Sequence, residues 1–139
     1  MDYVAGFCFD ETGRVALVRK ARPEWQAGLL NAVGGKVEPG ESAVDAMRRE
    51  FVEEAGVELE WDHIVELLFD GGRVDFFRCL VDSSVMDQVS TCTDEPIELH
   101  HIDDVRRHDV IPNLRWLLPF AAHASPDYEL VTVREPLPA

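Results

Sequence analysis

Several glutamates and one arginine stand at fixed spacings between Gly35 and Val57, in a stretch that reads GKVEPGESAVDAMRREFVEEAGV. Carboxylate oxygens are the ligands that hard cations such as Mg²⁺ and Mn²⁺ prefer, and these cations also bind phosphate oxygens. An arginine among the acids can orient them through charge-assisted hydrogen bonds. The stretch therefore predicts a site for a divalent metal and a phosphate.

The beginning of this stretch has the composition of a loop. Gly34, Gly35, Pro39 and Gly40 fall within seven residues, and glycine and proline at this density interrupt regular structure. Glycine also lets the backbone come close to a ligand or a metal, because it has no side chain. We therefore expect a loop that delivers backbone atoms to the site.

The rest of the stretch predicts a short helix from Ala43 to Ala55. Ser42 can serve as the N-cap, and Asp45 follows three residues later as in a capping box. Gly56 is placed to end the helix in a left-handed conformation. The loop is thus expected to lead directly into this helix.

Three glutamates share one face of the predicted helix. At about 100° per residue, Glu50 and Glu54 lie about 40° apart, and Glu53 lies about 60° to the other side of Glu50. Repulsion among the carboxylates would raise their pKa values and destabilise the helix unless a cation neutralised them. The alternative is a solvated acidic helix in which Arg49 pairs with Glu53 at i,i+4.

The complete spacing favours the metal site over the solvated helix. The nine defined positions of the pattern are, in order, Gly35, Glu41, Arg49, Glu50, apolar Phe51, Glu53, Glu54, Gly56 and apolar Val57. This pattern resembles the Nudix hydrolase signature at every defined position. The resemblance implies an α/β fold, the Nudix α/β/α sandwich, in which a mixed β-sheet lies between helices.

The resemblance also implies a role for each residue of the motif. Metal binding is assigned to the carboxylates of Glu50, Glu53 and Glu54 and to the carbonyl of Gly35. The expected cofactor is Mg²⁺, with Mn²⁺ as a substitute, and Arg49 would orient the glutamates. The structural positions of the motif are Glu41, which would brace the loop, Gly40 and Gly56.

The implied reaction is the attack of metal-activated water on a phosphoric anhydride. Glu54 is the first candidate for the general base, and Glu53 and Arg49 are the catalytic residues beside it. Related enzymes also place a glutamate from a distant loop at the site, and Glu95 has that position here, with Asp94 as the fallback. The alternative for Glu95 is a solvated loop acid.

Four residues outside the acidic cluster are candidates for binding the substrate. The segment LLNAVGGKVEPGES is similar to the MutT-type nucleoside triphosphate pyrophosphohydrolases in placing an asparagine ahead of GGK. Asn31 and Asn113 could read a base, since an amide both donates and accepts hydrogen bonds, or each could be a turn or cap residue. Lys36 could reach a phosphate or extend into solvent. Trp25 is the aromatic candidate for ligand contact.

The elements around the motif read as two hairpins in a mixed sheet. The predicted strands are Tyr3–Phe9, Arg14–Arg19, Leu29–Val33, Leu59–Phe69, Val74–Val81, Pro96–Ile102 and Tyr128–Val133. A polar loop is predicted for Ser83–Asp94, and a helix for Leu114–Ala122. The chain length fits a single Nudix hydrolase domain over residues 1–139, with the last few residues loose.

Composition restricts the partners and the compartment. The formal net charge of −14 argues against binding to a nucleic acid polymer or an anionic membrane, because both would repel the protein. Cys8 and Cys79 lie in apolar runs and are expected to be buried. The sequence shows neither a secretion signal nor a membrane span, which predicts a cytoplasmic protein. A homodimer, common in the family, stays open.

These features predict a Mg²⁺-dependent hydrolase that converts a nucleoside triphosphate, normal or oxidised, to the monophosphate and pyrophosphate. The alternatives are a pyrophosphatase for ADP-ribose or another nucleoside diphosphate derivative, and a non-catalytic Nudix module that senses a nucleotide. The chain lacks the proline of ADP-ribose hydrolases and the tyrosine of dinucleoside polyphosphate hydrolases downstream of the motif. The retained Glu50, Glu53 and Glu54 disfavour a sensor.

Overall fold

A mixed β-sheet forms the centre of the protein. The computed structural model describes residues 1–125 and 129–135, and within these residues the sheet has eight strands. The strands are β1 (Asp2–Asp10), β2 (Arg14–Arg19), β3 (Leu30–Asn31), β4 (Val33–Lys36), β5 (Asp62–Phe69), β6 (Gly72–Val81), β7 (Ile97–His101) and β8 (Val131–Arg134). The α-helices are α1 (Ala43–Ala55), α2 (Ser83–Met86) and α3 (Leu114–His123).

Strand β1 joins the two halves of the sheet. It pairs in parallel with β6 along its whole length, and antiparallel with β2 and β4 on its other edge. Strand β2 also pairs with β3 and β7, while β5 lies between β6 and β8. Successive side chains of β1 point to opposite faces of the sheet. Since β1 is an interior strand with both edges hydrogen-bonded, both faces around it can be covered.

Helices cover both of these faces. On one face, Met47 and Phe51 of α1 belong to the same buried cluster as Cys8 of β1. On the other face, Leu117 of α3 belongs to a cluster with Phe7 of β1. Full burial of each large side chain contributes about 1.5–3 kcal/mol, so the helices are held on the sheet mainly by these contacts. The arrangement confirms the predicted α/β/α sandwich.

Both predicted hairpins are confirmed, because β1 pairs antiparallel with β2 and β5 with β6. The predicted strand over Pro96–Ile102 and the predicted helix over Leu114–Ala122 are found as β7 and α3. The last predicted strand begins at Tyr128, which lies outside the described residues, and β8 is found at Val131–Arg134. The four final residues, 136–139, also lie outside them.

Two boundaries were predicted wrongly. The strand expected from Leu59 begins only at Asp62, because Trp61 is buried and packs edge-on against Phe51 with ring centroids 5.1 Å apart. The loop expected over Ser83–Asp94 contains α2.

Cys8 and Cys79 are buried as predicted. In the part of the chain that the structure describes, the helices are too short or too polar to cross a membrane.

The double glycine lies in a strand, contrary to the predicted loop. Strand β4 runs through Gly34 and Gly35 and pairs with β1. A Cβ atom at Gly34 would lie 1.9 Å from the carbonyl oxygen of Val4, and one at Gly35 would lie 2.4 Å from the carboxyl carbon of Glu50. Glycine is required at Gly34 because a side chain would meet the backbone of β1, and at Gly35 a side chain would displace the Glu50 carboxylate. The predicted run Leu29–Val33 is accordingly divided between β3 and β4.

Helix α1 has the boundaries and caps that the sequence predicts. The hydroxyl of Ser42 accepts a hydrogen bond from the backbone N–H of Asp45 at 3.2 Å. At the other end, Gly56 adopts a left-handed conformation with φ of 78°, and its N–H donates to the carbonyl of Val52. Such an N-cap stabilises a helix by about 1 kcal/mol. The two caps fix where α1 begins and ends.

A separate ion-pair network ties β2 to β7 and to the turn before α3. Arg19 donates to the two carboxylate oxygens of Glu98 at 2.8 and 2.7 Å, and to Asp109 at 2.6 Å. The hydrogen bonds from Arg19 lower the pKa of Glu98 to about 2, although burial acts in the opposite direction. Ionised Glu98 therefore stabilises the folded protein.

We expect Glu98→Gln to destabilise the protein at neutral pH and to have progressively less effect in acid. The folded-state pKa lies below the unfolded value of about 4.3, so the stabilisation is complete above that value and is lost as the pH falls towards about 2. Solvent screening limits the neutral-pH effect to about 1 kcal/mol. Urea unfolding as a function of pH measures it.

The control is Glu24→Gln, which removes the same charge from an exposed residue. This variant should unfold like the wild type at each pH. A Glu98→Gln effect that is equal at neutral pH and at about pH 2 would contradict the ionic role.

Candidate active site

Glu50 of α1 lies against the backbone of β4. Its carboxylate occupies the space that a side chain at Gly35 would need, and only 12% of the Glu50 side chain is exposed. Burial raises the pKa of Glu50, while the hydrogen bond from Arg49 acts in the opposite direction. A carboxylate with little access to water is thus held beside the glycine backbone.

Glu54 lies one helical turn after Glu50 and has a strongly raised pKa. Burial and the charge of Glu50 raise the pKa of Glu54 to about 7, although the charge of Lys20 lowers it. Its Oε2 atom is buried and has no hydrogen-bond partner among residues 1–125 and 129–135. An unsatisfied buried polar group costs about 1–3 kcal/mol. The two acids therefore favour a proton or a cation between them.

Arg49 connects these acids to the segment that follows β4. Its guanidinium donates to the two oxygens of Glu41 at 2.8 and 3.0 Å, and to the carbonyl oxygen of Lys36 at 3.0 Å. It also donates to Glu50 at 3.0 Å and to Glu53 at 3.3 Å. The contacts are those expected of a residue that orients glutamates, and Arg49 keeps this predicted role.

Glu41 closes the turn between β4 and α1. Its Oε1 accepts the backbone N–H of Glu38 at 3.1 Å, and Gly40 in the same turn has a φ of 80°. A residue with a side chain is strained at that φ, so glycine suits the position. The geometry supports the bracing role predicted for Glu41 and the structural role predicted for Gly40.

Glu53 is placed differently from the other two acids. Its side chain is 55% exposed, and its carboxylate contacts Arg49. Within the described residues, no group of three or more histidine, cysteine, aspartate or glutamate side chains is arranged to hold a metal ion. Glu53 as a ligand stays a prediction.

The remaining donors fit a divalent cation. Oxygen is the donor atom that Mg²⁺ and Mn²⁺ prefer, and here Glu50 and the unpartnered Oε2 of Glu54 are oxygen donors close to the backbone of Gly35. A bound cation would satisfy that oxygen and relieve the repulsion that contributes to the raised pKa of Glu54. These residues would hold the metal.

The four predicted substrate-binding residues meet in one cleft. Trp25, Asn31, Lys36 and Asn113 line a cleft of ≈410 Å³ whose wall also includes the backbone of Gly34–Gly35. This volume lies in the range of small-molecule sites. Apolar side chains of the cleft are Phe69, Val74, Phe76 and Ile111. A polar rim over an apolar floor suits a base and its phosphates.

The two asparagines of the cleft differ in their hydrogen bonds. Asn113 makes no side-chain capping bond to α3, and its Oδ1 is buried without a partner in residues 1–125 and 129–135. Asn31 is engaged, because its Nδ2 donates to Gln26 at 3.0 Å and its Oδ1 accepts from the N–H of Ala32 at 2.7 Å. Asn113 thus has an acceptor for a ligand, while both polar atoms of the Asn31 side chain in β3 already have partners.

Glu95 binds the loop that precedes the cleft. One of its oxygens accepts from Lys20 at 2.9 Å, and the other accepts from the backbone N–H groups of Ala21 and Arg22, at 2.7 and 3.3 Å. Burial acts to raise the pKa of Glu95, but these hydrogen bonds outweigh it and lower the pKa. Glu95 is buried, not a solvated loop acid. With both oxygens engaged, it suits a general base less than Glu54 does.

The sequence reasoning missed Lys20 and Gln26, which also line the cleft. The scarcity of lysine could have pointed to Lys20. The chain has two lysines, Lys20 and Lys36, and both line this cleft. Asp94, the fallback base, has an exposed side chain that pairs with Arg22.

Comparison with known proteins decides the family. The family model of the NUDIX domain matches residues 1–127. The chain belongs to the NUDIX domain family. Nudix enzymes generally need a divalent metal and act on small-molecule nucleotides, and the membership and named relatives support a hydrolase. The resemblance read from Gly35 to Val57 is thereby confirmed.

Named relatives are consistent with this assignment. The "Uncharacterized Nudix hydrolase YvcI" of Bacillus subtilis (strain 168) is 26% identical over 145 residues, covering 87% of this chain and 85% of that protein. The "CTP pyrophosphohydrolase" of Escherichia coli (strain K12) is 40% identical over 55 residues, covering 40% of this chain and 41% of that protein. A solved structure from work on MutT of Aliivibrio salmonicida and Vibrio cholerae shares the fold, with a TM-score of 0.71 at 23% identity. The match covers 89% of this chain and 97% of that one.

We expect Arg49→Lys to destabilise this Nudix protein by about 1–3 kcal/mol. Lysine keeps the charge but cannot make the forked contact with Glu41 while it also reaches the carbonyl of Lys36. Urea unfolding measures the loss. Arg48→Lys on the same helix is the control, because Arg48 pairs with two exposed acids and should lose less than about 0.5 kcal/mol. Equal losses in both variants would contradict the bracing role of Arg49.

Proposed function

We propose that this protein is a Mg²⁺-dependent pyrophosphohydrolase that converts a nucleoside triphosphate to the monophosphate and pyrophosphate. One observation carries the proposal: the cleft that collects the predicted base-binding residues shares the backbone of Gly34–Gly35 with Glu50 and Glu54. A nucleotide whose base lies in the cleft would have its phosphates beside the acids. Mn²⁺ is the proposed substitute metal.

Glu54 is the proposed general base. Water attacks phosphorus, a new P–O bond forms, and the anhydride P–O bond breaks to release pyrophosphate. The proton of the water passes to the carboxylate of Glu54. When bound by Glu50, Glu54, Glu53 and the Gly35 carbonyl, the metal would polarise the phosphate and acidify the attacking water.

Other side chains of the site position the substrate. Arg49 holds Glu50 in place through its 3.0 Å hydrogen bond. Lys36 contributes a positive charge to the cleft, while the charge of Lys20 is paired with Glu95. Trp25, of which 64% is exposed, offers a ring on which a base can stack.

The choice of a nucleoside triphosphate rests on the cleft and on the relatives. The unpartnered Oδ1 of Asn113 is an acceptor suited to an amino or imino group of a base. The relatives named as a CTP pyrophosphohydrolase and as MutT support the same class. That residues 1–139 form a single domain remains a prediction from the sequence, and so does the formation of a homodimer.

A substrate screen tests this choice. The purified protein is incubated with Mg²⁺ and, in turn, with common and 8-oxo nucleoside triphosphates, ADP-ribose and diadenosine polyphosphates, and the phosphate is detected after coupling to pyrophosphatase or phosphatase. We expect the triphosphates to be preferred, with pyrophosphate as a product. Preferred ADP-ribose turnover would overturn the substrate class, and silence on every compound would indicate a sensor.

We expect Glu54→Gln to lower kcat by about 10²-fold or more, because the amide cannot accept the proton and is a poorer metal ligand. Steady-state kinetics with the preferred triphosphate measure the loss. Glu58→Gln is the control, because Glu58 is an exposed acid just beyond α1, and it should keep the wild-type kcat. Full turnover by Glu54→Gln would refute the assigned base.

We expect Asn113→Leu to raise KM by about tenfold with a smaller change in kcat, because one hydrogen bond to the base is lost away from the reacting phosphate. Kinetics with two triphosphates that carry different bases measure the change and its dependence on the base. Gln88→Leu, an exposed amide outside the cleft, should behave like the wild type. An unchanged KM for Asn113→Leu would remove Asn113 from the base site.

A further inference from the structure

Arginines without a carboxylate partner gather in one region of the protein. Six of the chain's eleven arginines form ion pairs, namely Arg14, Arg19, Arg22, Arg48, Arg49 and Arg73. Within residues 1–125 and 129–135, the five without such a partner are Arg78, Arg106, Arg107, Arg115 and Arg134. The net charge is −14, so carboxylates are abundant, and a cluster of arginines without them needs a physical reason.

Four of these five arginines line a second cavity, which we call the arginine cavity. It measures ≈520 Å³, and Arg78, Arg106, Arg107 and Arg115 are in its lining. None of its lining residues lines the cleft of the candidate active site. The two use opposite ends of β1, because Phe9 borders the arginine cavity while Tyr3 borders the cleft. The arginine cavity is therefore a separate site.

The acids in the lining do not neutralise the arginines. Asp10 is satisfied by Thr12 and by Arg14, whose side chain donates to it at 2.8 Å. Asp103 is exposed, and the basic group recorded near it is His101, at 3.6 Å. The arginine cavity thus has a surplus of positive charge, and the field inside it attracts an anion.

Two of the guanidinium groups are held in place with donors to spare. The Nε of Arg78 is buried and has no acceptor in residues 1–125 and 129–135, while its Cζ lies 5.9 Å from the centre of the Phe9 ring. The Nε of Arg115 donates to the carbonyl oxygen of Arg107 at 3.1 Å. A guanidinium carries five N–H donors, so both groups can still bind the oxygens of a ligand. One arginine guanidinium can donate two parallel hydrogen bonds to two oxygens of a phosphate.

The floor of the arginine cavity is apolar. Its exposed apolar residues are Leu80 of β6 and Pro119 of α3, and the lining also includes the almost fully buried Phe9, Leu114 and Leu118. A bare inorganic anion would leave this floor in contact with water, whereas a ligand with a ring would cover it. The volume lies in the range of sites for small organic ligands.

We propose that the arginine cavity binds a small organic phosphate, with its phosphate among the guanidinium groups of Arg78, Arg106, Arg107 and Arg115 and its ring on the apolar floor. A nucleoside monophosphate has this chemistry. The inference is independent of the reaction proposed for the cleft, because it uses no residue of that cleft.

Isothermal titration calorimetry with AMP, adenosine and inorganic phosphate tests whether the arginine cavity binds an organic phosphate. The titrations are made with EDTA present, and in the Lys36→Ala variant, so that the cleft near Gly35 contributes little. We expect one AMP per chain, bound at least about tenfold more tightly than either adenosine or phosphate alone, since both halves of the ligand are needed. Thermal unfolding of each variant checks that it is folded.

The double variant Arg106→Gln/Arg107→Gln should weaken the binding of AMP at least about tenfold, because two charge-assisted contacts with the phosphate are lost. Both arginines are exposed. The matched control is Arg134→Gln, an unpaired arginine outside the arginine cavity, which should bind AMP like the wild type. Absence of saturable AMP binding would overturn the site. So would AMP binding that Asn113→Leu weakens and the double variant leaves unchanged, because AMP would then occupy the cleft.

Discussion

The close approach of the Gly34–Gly35 backbone to β1 and to Glu50 is the contact on which the site depends. A side chain at Gly34 would lie 1.9 Å from the carbonyl oxygen of Val4, so β4 could not pair with β1, and one at Gly35 would displace the Glu50 carboxylate. Glu50 and Glu54 of α1 lie beside this glycine backbone. The same backbone lines the cleft, so the cleft and the acids both border it.

Electrostatics separates the acids around α1. Arg49 donates to both oxygens of Glu41 and lowers the pKa of Glu41, and it also contacts Glu53. Glu54 has no bond to Arg49, and burial beside Glu50 raises its pKa to about 7. Leaving its buried Oε2 unsatisfied costs free energy in the absence of a ligand. That cost is expected at a site that is completed by a cation.

Local patterns predicted local structure well. Ser42 and Gly56 gave the limits of α1, and turn residues gave both hairpins, because caps and turns involve few neighbouring residues. The parallel pairing of β1 with β6 and the strand through Gly34–Gly35 were not predictable, because they depend on partners far away in the chain. For the same reason Lys20 was missed, and the engagement of Glu95 by the loop at Lys20–Arg22 was not foreseen.

A crystal structure of the protein with Mn²⁺ and a non-hydrolysable nucleoside triphosphate tests the site most directly, because anomalous scattering locates the metal. We expect a Mn²⁺ peak in contact with the carboxylates of Glu50 and Glu54, with phosphates beside Gly35 and the base near Asn113. Mn²⁺ bound only by exposed acids such as Glu38, or a base found outside the cleft, would contradict the site described here.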